Sequence, residues 1–529
     1  MFKLSHRWPL HLNLLSGIAA ALALSMLPSL AVAIYDKGND WRALTLSSLS
    51  CLLVSGGLFW LTKRRARALP FSFRDGFIVV TGAWFIASII GALPYLAYAW
   101  MSPESPCFEG GAQRALGQEF CSPINAFFEA ASGLTTTGAS VIERGLWVRY
   151  EDGVGYLADG TRGLPRGLML WRCTTHLLGG MGIVVLVVAV LPLLGLGGMG
   201  LFKAEAPGPQ TDKLTARVSG TAKLLWKTYL LFTMLHFALL WGSGSMDLYE
   251  SLCHAMSTMA TGGFSTRAAS VAGFENPWIE WQIIIFMAIA GMSFNLHYVA
   301  LLKKSFRPYF EDFEWCIFMI GLLILTIAIT IALGTSGWGS GVEERIRAAI
   351  FQVLAVVTTT GYVSADWELW VTSAPFAVFI LLALMFVGGC AGSTGGGVKL
   401  IRHVLLVKYA LREFFFIRHP KAHQSLRLNG RVIDAEIVRA SIAFMIIYVM
   451  LVLIGAALLL LDGQDLLTAL TGSASAVGNV GPALGELGPC DSYAPLGPLG
   501  TFTASLLMIL GRLELYTVLA LLSPTFWRD

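Results

Sequence analysis

Ten apolar runs constrain this chain more than anything else in it. They fall near residues 10–34, 42–61, 75–100, 170–198, 220–242, 278–302, 313–334, 373–389, 434–461 and 499–522. A run of about 20 apolar residues matches the ~30 Å hydrocarbon core of a bilayer. Only 13% of the 529 residues are charged and 55% are apolar, where a soluble chain carries about 25% charge. The sequence therefore reads as an all-α polytopic membrane protein. Basic residues cluster at Lys3/Arg7, Lys63–Arg74, Lys203–Lys227, Lys303–Arg307, Lys399–Arg439 and Arg528, on every second connection. That asymmetry puts both termini in the cytoplasm. The net charge of +4 thus reports topology, and no nucleic-acid partner is expected. Ala31-Val32-Ala33 resembles a signal-peptidase site, but the first run is longer than a signal-peptide core of about 7–15 residues and nine more follow.

Four short segments recur between these runs: TTTGA at Thr135–Ala139, MATGG at Met259–Gly263, TTTGY at Thr358–Tyr362 and SAVGN at Ser475–Asn479. Their glycines lie roughly 100–125 residues apart, a period that signals an internal repeat. Before each comes a half-hydrophobic segment, near 125–136, 248–260, 345–359 and 464–476. These are too short to cross a bilayer and read as re-entrant helices. Irregular backbone survives at that depth only against protein or a water-filled path, so the four loops should surround one path. The expected divisions are an N-terminal hairpin at 1–65 and four units at 70–200, 215–305, 310–420 and 430–529. Their loops are 125–140, 248–264, 345–362 and 464–482.

One TTG alone is an ordinary turn; four in matching positions are not. Gly138, Gly262, Gly361 and Gly478 each permit positive φ and put no side chain in the path. Carbonyls of Thr136, Thr137, Ala260, Thr261, Thr359, Thr360, Ala476 and Val477, with Asn479 closing the fourth loop, could then replace the water shell of an alkali cation. Helices ending at mid-membrane point a partial negative charge at that path, which favours a cation.

Gly388-Gly389-Cys390-Ala391-Gly392-Ser393-Thr394-Gly395-Gly396-Gly397 holds six glycines in ten residues. Each costs a helix about 1 kcal/mol relative to alanine. Two readings stand: a span broken by a flexible loop, or a small-residue helix contact. Arg512 lies about 13 residues into the last run, roughly 20 Å along a helix. An arginine there costs at least about 2.5–3.5 kcal/mol unless it meets water or a partner. It either faces the path as a barrier to cations or pairs with Glu514 or a loop carbonyl.

Other signals are weaker. Gly195–Gly200 matches GxGxxG but follows a membrane run, and Gly392–Gly397 has Walker spacing with Val398 where lysine is required. The eight cysteines show no metal-ligand spacing. Cys107, Cys121 and Cys490 fall in outer loops, where Cys107 and Cys121 form a disulfide or stay free thiols. His176, His236, His254 and His297 read as packing residues rather than proton relays. No catalytic constellation is present, so no enzyme is expected.

The motifs SGLTTTGAS at Ser132–Ser140, TGGFST at Thr261–Thr266, TTTGY, GNVGP at Gly478–Pro482, GGCAGSTGGGVK at Gly388–Lys399 and GRLE at Gly511–Glu514 resemble those of the Trk/Ktr/HKT superfamily of potassium transporters. The likeness runs along nearly the whole chain. It implies four M1-P-M2 units around one potassium path, with an added N-terminal hairpin. It implies that Gly388, Gly389, Gly392, Ser393, Thr394, Gly395, Gly396 and Gly397 form an intramembrane gate, with Lys399 and Arg512 beside it. It also implies a homodimer in a bacterial inner membrane and a cytosolic TrkA-type subunit. Nucleotide (ATP/ADP or NAD) would bind that partner, so this chain would carry no cofactor. Gly138 favours potassium over sodium, and Ala476-Val477 departs from the threonines of the other loops. The alternatives are a less selective sodium and potassium path, or a carrier coupled to protons or sodium through broken helices.

Overall fold

The computed structural model describes residues 7–67, 69, 72–101, 107, 118–142, 146–151, 154–159, 164–185, 214–422, 425–428 and 431–527. The Gly195–Gly200 motif, the second half of the fourth apolar run and the first part of the basic stretch after it lie outside the described residues.

The N-terminal hairpin is α1 (Trp8–Ser25) with α2 (Leu27–Tyr35), returning through α3 (Trp41–Ala66). It packs against α4 (Phe73–Met101). Then come α5 (Pro123–Leu134), α6 (Arg166–Val185), α7 (Leu214–Gly242), α8 (Leu248–Met259), α9 (Pro277–Gly291) and α10 (Phe294–Lys303). The rest are α11 (Phe313–Thr335), α12 (Val342–Val357), α13 (Pro375–Leu384), α14 (Leu400–Arg418), α15 (Ala435–Leu461), α16 (Leu466–Gly478), α17 (Pro498–Arg512) and α18 (Tyr516–Leu522). Two short antiparallel hairpins sit in connections, Leu146–Glu151 with Val154–Asp159 and Arg427–Leu428 with Arg431–Val432.

Six helical stretches among the described residues are long and apolar enough to cross a membrane. Their outer faces expose Leu323, Ile324, Ile331, Ile446 and Leu453, large apolar side chains that suit lipid. The short helices α5, α8, α12 and α16 hold 12, 12, 16 and 13 residues and are largely buried. Each packs against the long helix before it. Their starts are set locally. Asp247 accepts the Glu250 amide at 2.5 Å, and Asp465 accepts the amides of Leu467 and Thr468 at 2.7 and 3.0 Å; Pro123 opens α5.

Three apolar runs are not the straight spans their composition suggests. The run at 278–302 breaks between α9 and α10, which meet at 97°. Its freed backbone groups are taken by a neighbour: the Cys390 amide donates to Gly291 O at 2.9 Å and the Phe294 amide to Gly392 O at 3.1 Å. The run at 499–522 bends by 111° between α17 and α18, where Glu514 and Leu515 take φ of 52° and 55°. The run at 373–389 is helical only as far as Leu384, because the glycine-rich stretch 388–397 follows as an irregular loop rather than a helix contact. Hydropathy windows average over such breaks, since a broken helix is as apolar as a straight one. A Cys107–Cys121 disulfide forms and ties the loop after α4 to the entry of α5.

Candidate functional site

The four loops after α5, α8, α12 and α16 share one backbone pattern. The first residue past each helix turn takes a left-handed conformation: Thr136, Thr261, Thr359 and Asn479, with φ of 54°, 54°, 57° and 55°. Two residues later stands a glycine at positive φ: Gly138, Gly263, Gly361 and Gly481, at 78°, 80°, 72° and 103°. The turn is closed the same way each time, with amides of Thr136, Thr261, Thr359 and Asn479 donating to Gly133, Thr258, Val356 and Ala476 at 3.0–3.3 Å.

This register differs from the one read in the sequence at two loops. Gly138 and Gly361 stand where expected. In the second loop the positive-φ glycine is Gly263, one residue beyond Gly262. In the fourth it is Gly481, three beyond Gly478. The cause is local. Gly262 is small because the His176 ring lies against it. Ala476, Val477 and Gly478 still belong to α16. Gly138 and Gly263 are each followed two residues on by serine, Ser140 and Ser265, a spacing that would have set the second register.

The loops close on one another. A methyl group on Gly138 would strike the carbonyl oxygen of Gly262, and one on Gly263 that of Thr360. On Gly361 it would strike that of Val480, and on Gly481 that of Thr137. Each loop leans on the next and the fourth on the first, a ring of four. All four glycines line a single cavity. The side chains turn away to brace the backbone. The hydroxyls of Thr135 and Thr137 bond at 2.8 Å, as do those of Thr358 and Thr360 at 2.7 Å. Asn479 Nδ2 donates to Thr137 Oγ1 at 3.0 Å and Met508 O at 2.8 Å.

Behind the ring each short helix grips its own exit loop, a set of contacts the sequence did not single out. Glu129, wholly buried, pairs with Arg172 at 2.6 Å and accepts the Val141 amide at 3.1 Å. Arg172 also stacks on Phe264 of the second loop, 3.8 Å from the ring centre. His254 meets Ser265 Oγ at 3.0 Å, Gln352 donates to Ser364 Oγ at 3.4 Å, and Thr471 Oγ1 accepts the Leu484 amide at 3.1 Å. A one-residue comparison across four helices would have found the first three, since all stand six residues before the helix cap. His176 meets Ser257 Oγ at 3.0 Å and His297 meets Tyr309 Oη at 2.7 Å, while His236 stacks on Phe286.

The segment Gly388–Gly397 lies directly against three of the loops. Thr394 Oγ1 donates to Met259 O at 3.1 Å, and the Gly396 amide donates to Thr359 Oγ1 at 2.6 Å. A side chain on Gly396 would meet Gly478 and Asn479, and one on Gly395 would meet Thr358 O, so glycine is required by contact. The Gly388 amide donates to Val398 O at 2.8 Å, pinching the base. Ser393 sits between Lys399 Nζ at 3.3 Å and the loop backbone. Gly389 packs on Gly291 O, Gly392 on Ser293, and Gly397 on Gly388 and Gly478.

Arg512 ends α17 rather than sitting mid-helix. It is 1% exposed, and its single hydrogen bond among the described residues is Nη2 to Gly179 O at 3.4 Å. Glu514 does not pair with it: that carboxylate is taken by Arg402 at 2.5 Å. Gly511 lets α17 touch Val477 O at the end of α16, which brings Arg512 beneath the ring.

A profile of the TrkH family, cation transport proteins, matches residues 42–528. The chain belongs to that family. TrkH family members with matching length include the Trk system potassium uptake protein TrkH of Halomonas elongata, 35% identical over 98% of both chains. The protein of that name from Escherichia coli K12 is 34% identical over 95% of this chain and 96% of its own. TrkG of the same organism is 32% identical over 96% of each. The crystal structure of the potassium transporter TrkH from Vibrio parahaemolyticus superposes with a TM-score of 0.84 at 28% identity, covering 99% of this chain and all of that one. These relatives are named as transport proteins, not enzymes.

Proposed function

We propose that this chain takes up potassium through a path bounded by the four loops. The observation that carries this is the closed ring, in which the carbonyls of Thr137, Gly262, Thr360 and Val480 each abut the positive-φ glycine of the preceding loop, the first loop following the fourth. Carbonyl oxygens at fixed spacing can replace the hydration shell of an alkali cation. Hydroxyls of Thr135, Thr137, Thr358 and Thr360 are committed to one another, so the backbone is left to bind. The relatives' names supply the ion, potassium.

The segment Gly388–Gly397 is the gate, and Arg512 a cationic barrier below the ring. Support comes from the loop's contacts with Met259, Thr359 and Gly478, and from a buried guanidinium with no carboxylate beside it among the described residues. Breaking a buried charge's pairing costs about 3–5 kcal/mol, so a guanidinium left that way belongs beside a hydrated path. Lys399 holds the gate by donating to Gly395 O at 2.5 Å. The units at 70–200, 215–305, 310–420 and 430–529 are its four walls. Both termini face the cytoplasm of a bacterial inner membrane. The basic face of α14 meets a TrkA-type nucleotide-binding subunit, and the working form is a homodimer.

The test is rubidium flux into proteoliposomes holding the chain with and without that subunit, with sodium as competitor. Flux suppressed by potassium and little by sodium supports the path. Flux that vanishes when a proton or sodium gradient is clamped would favour the coupled carrier.

A further inference from the structure

Glu314, in the first turn of α11, is 3% exposed and lies far from the ring in sequence. The helix does not need it: Asp312 already caps α11 by accepting the Trp315 amide at 2.8 Å. Its Oε1 instead accepts two amides from another part of the chain, Ala391 at 2.9 Å and Ile401 at 3.1 Å. Those two amides bracket the stretch 392–400. One carboxylate oxygen therefore joins both ends of the glycine-rich loop.

The reason lies in the start of α14. Its N-cap residue is Lys399, which gives no side-chain cap, because an ammonium only donates. The first-turn amides of a helix need acceptors, and the helix's positive end favours a carboxylate. Glu314 is that cap, supplied from a different helix. Lys399 meanwhile turns back to Gly395 O and Ser393 Oγ. The loop is thus held from outside by a carboxylate and from inside by an ammonium.

We propose that Glu314 is a positioning residue that latches the intramembrane loop shut. This rests on the reading of Gly388–Gly397 as the gate. Displacement of α14 would draw the Ile401 amide off Oε1 and release the Ala391 end at the same time. Movement of the cytoplasmic helix and opening of the loop then become one event.

The test compares the full chain, Glu314→Gln and Glu314→Ala in proteoliposomes without any regulatory subunit. Glutamine keeps an oxygen acceptor; alanine does not. Loss of two charge-assisted hydrogen bonds predicts that Glu314→Ala raises subunit-independent rubidium flux about tenfold or more. Potassium preference over sodium should be unchanged, and Glu314→Gln, which keeps the acceptor but not the charge, should fall between wild type and Glu314→Ala. A second readout is modification of Cys390, 1% exposed beside the latch, by an impermeant maleimide from the cytoplasmic side. It should be slow in wild type and fast in Glu314→Ala. If that variant does not fold, Glu314→Leu fills the volume without an acceptor and takes its place. Equal flux and equal Cys390 labelling in wild type and Glu314→Ala would overturn the latch while leaving the ion path intact. No potassium-selective flux in wild type, even with the regulatory subunit added, would overturn the transport reading instead.

Discussion

Thr136, Thr261 and Thr359 hold positive φ, where a β-branched residue is a conformational outlier. Each costs about 1–3 kcal/mol unless its surroundings fix it. Two are fixed through their hydroxyls: Thr359 Oγ1 accepts the Gly396 amide, and Thr261 Oγ1 donates to Ala260 O at 2.6 Å, whereas Thr136 Oγ1 is buried with no hydrogen-bond partner among the described residues. The glycines two residues on carry the ring contacts, so a single methyl group is a sharp probe. Gly481→Ala, with φ of 103° and Thr137 O against it, should cut the potassium-to-sodium flux ratio several-fold, as should Gly138→Ser. Competition assays in proteoliposomes would show it, and an unchanged ratio would separate the ring from selectivity. Arg512→Ala should raise potassium flux while leaving that ratio alone; a variant that merely aggregates on size-exclusion chromatography would make the guanidinium a structural group. Gly138 and Gly361 were legible in the sequence. Gly263 and Gly481 were not, because a second glycine nearby serves another end. Gly262 makes room for His176, and a side chain on Gly478 would crowd Met385 O and Tyr448 Oη, both at 3.1 Å.

At the scale of elements, the short helices matter more than the long ones. Apolar runs alone announce the long helices, which need only match the bilayer. The breaks are different, because each is stabilised by a partner distant in sequence. The α9–α10 break exists because residues 390–392 satisfy its backbone, and the α17–α18 bend because Arg402 holds Glu514. Sequence composition registers the glycines of 388–397 but not where their amides go. Nor does it disclose that the GRLE motif ends a helix at its arginine. The short helices do carry local signals, of which Asp465 is the clearest. Asp465→Ala removes the N-cap of α16 and should cost about 1 kcal/mol. It should lower the detergent melting temperature by a small amount and leave the flux ratio intact. A large loss of selectivity would mean that the cap also sets the loop.

For the whole molecule, four similar hairpins build one ring with unequal walls. The second and fourth loops place Gly262 and Val480 where the first and third place threonine, and both Asn479 and Tyr362 reach across to a neighbouring loop through their side chains. The grip behind the first wall is a buried ion pair, Glu129 with Arg172, the second adds a more exposed pair, Glu250 with Arg267 at 3.3 Å, and the third and fourth use neutral contacts. The Cys107–Cys121 link closes a loop of 14 residues next to α5. Its removal in Cys107→Ser/Cys121→Ser should destabilise the first unit by about 3 kcal/mol by chain-entropy reasoning. Thermal unfolding in detergent, with and without reductant, checks this, and a melt insensitive to both would contradict it. The overall plan, membrane spans with four interrupting loops, was legible because it repeats. That the loops surround one path was expected, but the contacts that close the ring were not legible, since they join residues far apart in the sequence.

The proposed potassium site lies within the ring of Thr137, Gly262, Thr360 and Val480 carbonyls. Crystals of this chain grown in rubidium or thallium would test it by anomalous scattering. The account predicts a density peak on the common axis, within coordination distance of those four oxygens and absent when sodium replaces the heavier ion. A peak centred instead among Ala476, Val477 and the side chains of α16, or none at the ring, would contradict it.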